Sequence, residues 1–163
     1  MTRAYAYVGE AIRDQPLRYT GCGLDDIYLL SGYEVHPDTG YGRSVSVKDL
    51  DALRRVIGEQ LIRKKKFLRG KELRFLRTEM DLTQSELGRL IGYSDQQVAR
   101  WEKDHSHVPA PANKMIRLLF REHLGNHGFS IREVLEHLDR LDNTISDRQV
   151  FEKTGNTWRV SAG

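Results

Sequence analysis

Apolar residues recur at helical spacing through most of the chain and alternate in strand fashion only towards its two ends. Ile27–Leu30 and Tyr33–His36 read as strands, with Ser31-Gly32 as a hairpin turn between them and Gly21, Gly23, Pro37, Gly40 and Gly42 marking loops. Ser46 with Asp49 then forms a capping box, and Val45 is placed to staple against Leu50. The helix so started carries Leu50, Leu53, Val56, Ile57 and Leu61 on one side and ends near Lys66. Gly70 opens a second helix bearing Leu73, Leu76 and Met80. Pro111 begins another, with Met115, Ile116, Leu119 and Phe120 expected in its core and Gly125 and Gly128 closing it. Further on, Ser130 and Glu133 cap a stripe of Ile131, Val134, Leu135, Leu138 and Leu141, suited to docking on its own domain or to a seam between copies. Two β-favouring runs within Val150–Val160 flank Gly155-Asn156 and read as a hairpin or an edge pairing.

The most informative pattern lies between these elements, at Thr83–Lys103, TQSELGRLIGYSDQQVARWEK. Leu87, Ile91, Val98 and Trp101 fall where two short helices would press together. Gly88 stands where the first must approach the second, and Gly92 at the sharp turn between them. Thr83 with Glu86 and Ser94 with Gln97 are capping boxes that start the two helices. This is the pattern of a helix-turn-helix, whose second helix enters the major groove of DNA. The expected fold is mainly α with a small α+β N-terminal unit. It divides into residues 1–66, a helix-turn-helix domain at 67–128, and a C-terminal helix with a β-like tail at 129–163.

Charge sharpens that expectation. Net charge is only +3, yet from Leu61 to Arg77 eight basic residues face the single acid Glu72, a local excess of +7. A basic block beside a helix-turn-helix is an electrostatic footprint for phosphate, although such runs are commonly just solvated surface. It is not laid out as one basic face opposite a large apolar one, as a membrane-surface helix would be. No apolar run approaches the ~20 residues needed to span a bilayer, and the first residues lack a secretory pattern. One cysteine, Cys22, excludes an internal disulfide framework and fits a reducing, cytoplasmic setting.

Within the second helix of the pair, Val98 and Trp101 are committed to packing, leaving Asp95, Gln96, Gln97, Ala99 and Arg100 outward. Gln96 and Arg100 lie one turn apart on one face. A glutamine can pair bidentately with adenine and an arginine with guanine. Gln97 is a third base-contact candidate, in competition with its capping role. Asp95 better complements the helix N-terminus. Candidates for phosphate contact are Gln84 and Ser94 at the two helix starts, Lys103 after the second helix, and Lys64, Lys65, Lys66 and Lys71 in the basic block. His105 and His107 rank behind them.

Other chemistry is poorly supported. His123 and His127 are four apart, but Gly125 lies between them and no cysteine or carboxylate cluster completes a metal site. Cys22 has no local partner for nucleophilic catalysis. Asp25 and Asp26, adjacent in sequence, point oppositely on a strand. No cofactor is implied, and the chain is not expected to be an enzyme.

The motifs ELRFLR, LTQSELGRLIG and QQVARWEK, within Gly70–Leu124, resemble the Xre/Cro helix-turn-helix family. The order of parts, including GLDDIYLLSGYEV ahead of a helix, is similar to MqsA-type antitoxins. That resemblance implies a repressor that dimerises on a palindromic operator, with base contacts at Gln96 and Arg100, and a cognate toxin protein as partner of the N-terminal domain. The family's zinc-binding CxxC pairs are not in this sequence, so no metal site carries over. A stand-alone regulator with no toxin partner is one alternative, and a protein-interaction module that holds a partner without DNA is the alternative from another class. Binding to duplex DNA separates that module from both regulator readings.

Overall fold

The computed structural model describes residues 4–7, 10–13, 16–37, 40, 42–125, 137–138, 140–141 and 148–161. They fall into two compact units, 1–56 with 146–163 and 57–145.

The first unit is built of short strands. β1 (Ala4–Tyr7) and β2 (Glu10–Arg13) pair antiparallel. β3 (Leu17–Arg18), β4 (Ile27–Leu29), β7 (Gln149–Thr154) and β8 (Thr157–Val160) form one sheet in the order β3-β4-β7-β8. Its inner positions follow strand alternation: Ile27, Leu29, Phe151 and Trp158 are buried. The tail reading holds, since β7 and β8 form a hairpin with Thr154 opposite Thr157. β7 in turn runs parallel to β4, which only a long connection permits, and further strands and the helices lie between the two in the chain.

Two expectations for this unit are corrected. Ile27–Leu30 and Tyr33–His36 do not pair with each other: β5 (Tyr33–His36) pairs with β6 (Ser44–Val47), while β4 takes β3 and β7. Ser31-Gly32 is the bend between two sheets. The Ser31 hydroxyl donates to Lys153 O at 2.9 Å and accepts from Lys153 N at 2.8 Å, tying the bend to β7. Nor does Ser46 cap a helix. It is paired opposite Glu34 within β6, and its hydroxyl meets His36 Nε2 at 2.8 Å. Val45 and Leu50 remain 39% and 37% exposed, so no buried staple forms between them.

α1 (Leu50–Lys64) follows, entered through Asp49 at φ 50. Its second half belongs to the other unit, with α2 (Gly70–Glu79), α3 (Gln84–Ile91), α4 (Asp95–Glu102) and α5 (Ala110–His123). The core there is Ile57, Leu61, Ile62, Leu68, Leu73, Leu76, Leu87, Val98, Trp101, Ala112, Ile116 and Phe120. Met115, expected inside, is 45% exposed. The inner face of α5 is taken instead by positions 112, 113, 116, 117 and 120, which include the polar Asn113 and Arg117.

Arg117 is fully buried and explains why. Its guanidinium donates to Asn113 Oδ1 (3.0 Å), Ile62 O (2.9 Å) and Lys66 O (3.0 Å), and Asn113 Nδ2 also donates to Lys66 O (3.1 Å). A carbonyl of the last turn of α1, Ile62 O, and one just beyond it, Lys66 O, are thus satisfied by α5. The capping box at Ser130 and Glu133, and the stripe residues Ile131, Val134 and Leu135, lie outside the described residues, as do His127 and Gly128. Of that stripe, Leu138 is buried and Leu141 half-buried.

Candidate nucleic-acid interface

Both capping boxes form. Thr83 Oγ1 accepts from Glu86 N (3.1 Å), and Glu86 accepts from Thr83 N (2.7 Å). Ser94 Oγ accepts from Gln97 N (3.2 Å), and Gln97 Oε1 accepts from Ser94 N (3.0 Å). Between the two helices Gly92 takes φ 83, a left-handed turn that donates its N–H to Gly88 O. Leu87, Val98 and Trp101 are buried in the angle, and Tyr93 meets Trp101 edge to face at 4.9 Å.

The hydrogen bonds from Thr83 hold the Glu86 carboxyl below its ordinary value, with Arg89 adding to the effect against some desolvation. A carboxyl whose folded value is lowered stabilises the fold above its unfolded value and loses that contribution as pH falls through the folded one. Glu86→Gln is therefore expected to flatten the acid limb of a stability-against-pH curve at pH values below about 4.5 and to leave the shape unchanged near neutrality. Urea melts at several pH values measure this, and equal acid slopes in both proteins would contradict it.

A polar network sets how α4 lies on its neighbours. The Arg77 guanidinium pairs with the Glu102 carboxylate through Nε and, at 3.1 Å, through Nη2. Its Nη1 donates to Leu82 O at 2.7 Å. Gln84 Nε2 donates to the same Glu102 carboxylate at 2.8 Å. At the end of α4, Asp104 turns left-handed at φ 55 and accepts from Gly70 N at 2.7 Å. One end of the second helix is thus anchored to α2 and α3 through Glu102, and its exit to the start of α2 through Asp104. Sequence reasoning missed Glu102, Asp104, Asn113 and Arg117 and took Arg77 only as part of the basic block. Their partners lie on other elements of the chain, so local spacing carried no signal for them.

With the helix so anchored, Gln96 and Arg100 are exposed on the side away from Val98 and Trp101. Asp95 caps locally, accepting from Gln96 N at 2.8 Å. Gln97 is exposed, but its Oε1 is engaged by Ser94. Ser94 and Lys103 are exposed, and Gln84 is half-buried on Glu102.

The basic block is less uniform than its sequence. Lys64 and Lys71 are exposed and Lys66 is half-buried. Lys65, one of the phosphate-contact candidates, is 8% exposed, with its ammonium 3.3 Å from the buried Glu72 carboxylate. Arg69 also meets Glu72, at 3.4 Å, and Arg77 is spent on Glu102. At least three of the eight cations, Lys65, Arg69 and Arg77, therefore have an internal partner, which reduces the field presented to a polyanion. His123 is exposed beside Phe120, their ring centroids 6.0 Å apart. Cys22 is buried.

Residues 73–113 match the helix-turn-helix family model of the Xre/Cro type, a family of DNA-binding regulatory domains that are not typically enzymes. The matched segment runs from within α2 through α3 and α4 into α5, so it contains the whole Arg77–Glu102–Gln84 network. No curated protein and no solved structure matches the chain. Among the described residues, no helix is long and apolar enough to cross a membrane.

Proposed function

We propose that this protein is a sequence-specific DNA-binding transcriptional repressor, with α4 as its recognition helix. One observation carries the reading. Gln96 and Arg100 are exposed one turn apart on the outer side of a helix whose inner residues, Val98 and Trp101, are buried. An amide and a guanidinium so placed suit adenine and guanine edges, each good bidentate pair contributing roughly 1–3 kcal/mol of discrimination. Gln97, held by its cap, fixes the helix start. Ser94, Lys103, Lys64, Lys66 and Lys71 take phosphates, while Gln84 acts mainly on Glu102. Lys65 is left out.

The protein acts as a homodimer that places two recognition helices one turn of DNA apart, about 34 Å, on an inverted repeat. Repression follows from covering its own promoter. By its resemblance to MqsA-type antitoxins, it serves as the antitoxin of a type II operon, with the strand-built unit receiving a cognate toxin without zinc.

Fluorescence anisotropy tests the DNA reading on a duplex from the protein's own upstream region, against a scrambled duplex of equal length. Tighter binding to the upstream duplex is expected, with affinity falling steeply as salt rises. Equal affinities at every salt concentration would remove sequence specificity, and no binding at all would favour a protein-interaction module.

A further inference from the structure

The turn between α1 and α2 displays an aromatic ring among cations. Phe67 is 60% exposed, whereas Leu68 beside it is 6% exposed and Lys65 is 8% exposed. The backbone here is held on both sides. Lys66 O accepts from Asn113 Nδ2 at 3.1 Å and Arg117 Nη2 at 3.0 Å, and Arg69 N donates to Glu72 Oε2 at 2.9 Å. Arg63, Lys64 and Lys71 are exposed around this segment, and Lys66 is half-buried.

A single exposed apolar side chain is ordinary. An exposed phenyl ring, carried on backbone that is hydrogen-bonded on either side and flanked by cations, suits a ligand that offers anions and apolar faces together. A nucleic-acid strand is such a ligand, through its phosphates and deoxyribose rings. A second copy would bring the same cations against these and be repelled.

The turn also abuts the exit of α4. Gly70 N donates to Asp104 Oδ1 at 2.7 Å, and a Cβ at Gly70 would stand 2.4 Å from Glu102 O. Three residues span at most about 10 Å, so Phe67 lies within that reach of Gly70, which itself meets the end of the recognition helix.

We propose that residues 63–69 form a second DNA-contacting surface. The Phe67 ring lies against the sugar–phosphate strand bordering the groove that α4 occupies, and Lys64 and Lys66 hold the adjoining phosphates. This rests on α4 being the DNA-facing helix and adds a contact that is independent of sequence.

Trp101 and Trp158 are 4% and 3% exposed, so Phe67→Trp in the full chain adds the one indole that acrylamide reaches readily among the described residues. The probe is a mixed-sequence 24-base-pair duplex. Adding it is expected to shield the introduced indole from acrylamide. Phe67→Ala should weaken binding to this duplex about five- to tenfold, the effect of burying roughly half of an exposed phenyl, with the salt slope unchanged. Lys64→Gln with Lys66→Gln should instead lower the slope by about 2.

An introduced indole still open to acrylamide at saturating duplex overturns the proposal, as does unaltered affinity in Phe67→Ala. Shielding that develops with protein concentration alone assigns the surface to a second copy, and shielding by anionic vesicles but not by duplex assigns it to a membrane. Either result overturns the proposal. A chain that binds no duplex overturns both this proposal and the recognition reading. A chain that binds all duplexes equally while shielding the indole overturns only the recognition reading.

Discussion

Replacing Arg117 with methionine is expected to lower the unfolding free energy by about 3–4 kcal/mol. The side chain is 0% exposed and serves three acceptors: Ile62 O, Lys66 O and Asn113 Oδ1. A buried acceptor stranded without its donor costs roughly 1–3 kcal/mol, and relief from burying a cation offsets part of the total. Burial pulls the guanidinium down to about 10, opposed by the nearby Glu72 carboxylate, which leaves it charged at neutral pH. Lysine supplies the charge but not the planar fork, so Arg117→Lys should recover only a minor share of the loss. Urea melts of the three proteins give the order native, Arg117→Lys, Arg117→Met. A methionine variant within 1 kcal/mol of native would show that the clasp between α5 and the end of α1 matters little.

The second large effect is expected at Gly88. A Cβ there would sit 2.5 Å from Tyr93 O, and the obstructing atom is backbone, so no rotamer change relieves it. Gly88→Val must push α3 away from the turn that leads into α4, at a cost of roughly 3 kcal/mol or more. The near-UV signal of the Tyr93–Trp101 pair should weaken with it. Gly92 provides the contrast. It has φ 83 but nothing within 4 Å of an added Cβ, so Gly92→Ala meets only the left-handed penalty of about 1–2 kcal/mol. A Gly92→Ala variant less stable than Gly88→Val would mean that the turn conformation, not the close approach of α3, governs this region.

That contrast also marks how far the sequence was legible. The helix-turn-helix was readable because every device that builds it acts over a few residues: Thr83 on Glu86, Ser94 on Gln97, and Gly92 returning to Gly88. Those local contacts form whatever the rest of the chain does. The strand unit was not readable in the same way. Ser31 answers to Lys153, more than a hundred positions away, and alternation along Ile27–Leu29 shows which side chains face inward but not which strand lies alongside.

Ser46 illustrates the ambiguity on a small scale. A serine three residues before an aspartate matches a capping box, yet a β register that sets its hydroxyl against His36 satisfies it instead. Arg117 and Lys65 were hidden for another reason. Charged residues at such spacing usually mark the solvated face, and only the tertiary structure supplies the carbonyls and the Glu72 carboxylate that let them be buried. The outward pair Gln96 and Arg100 was legible by subtraction, since Val98 and Trp101 use up the inner face. The network that holds α4 in place joins residues on three helices and was not.

Selection from a pool of random duplexes tests most directly whether α4 reads base edges. The native chain is expected to enrich an inverted repeat with half-sites about one helical turn apart, and Arg100→Ala to enrich the same repeat with its choice relaxed at one position in each half. Gln96→Ala should relax a different, neighbouring position. An identical enriched sequence from all three proteins would contradict the assignment of Gln96 and Arg100 to the bases.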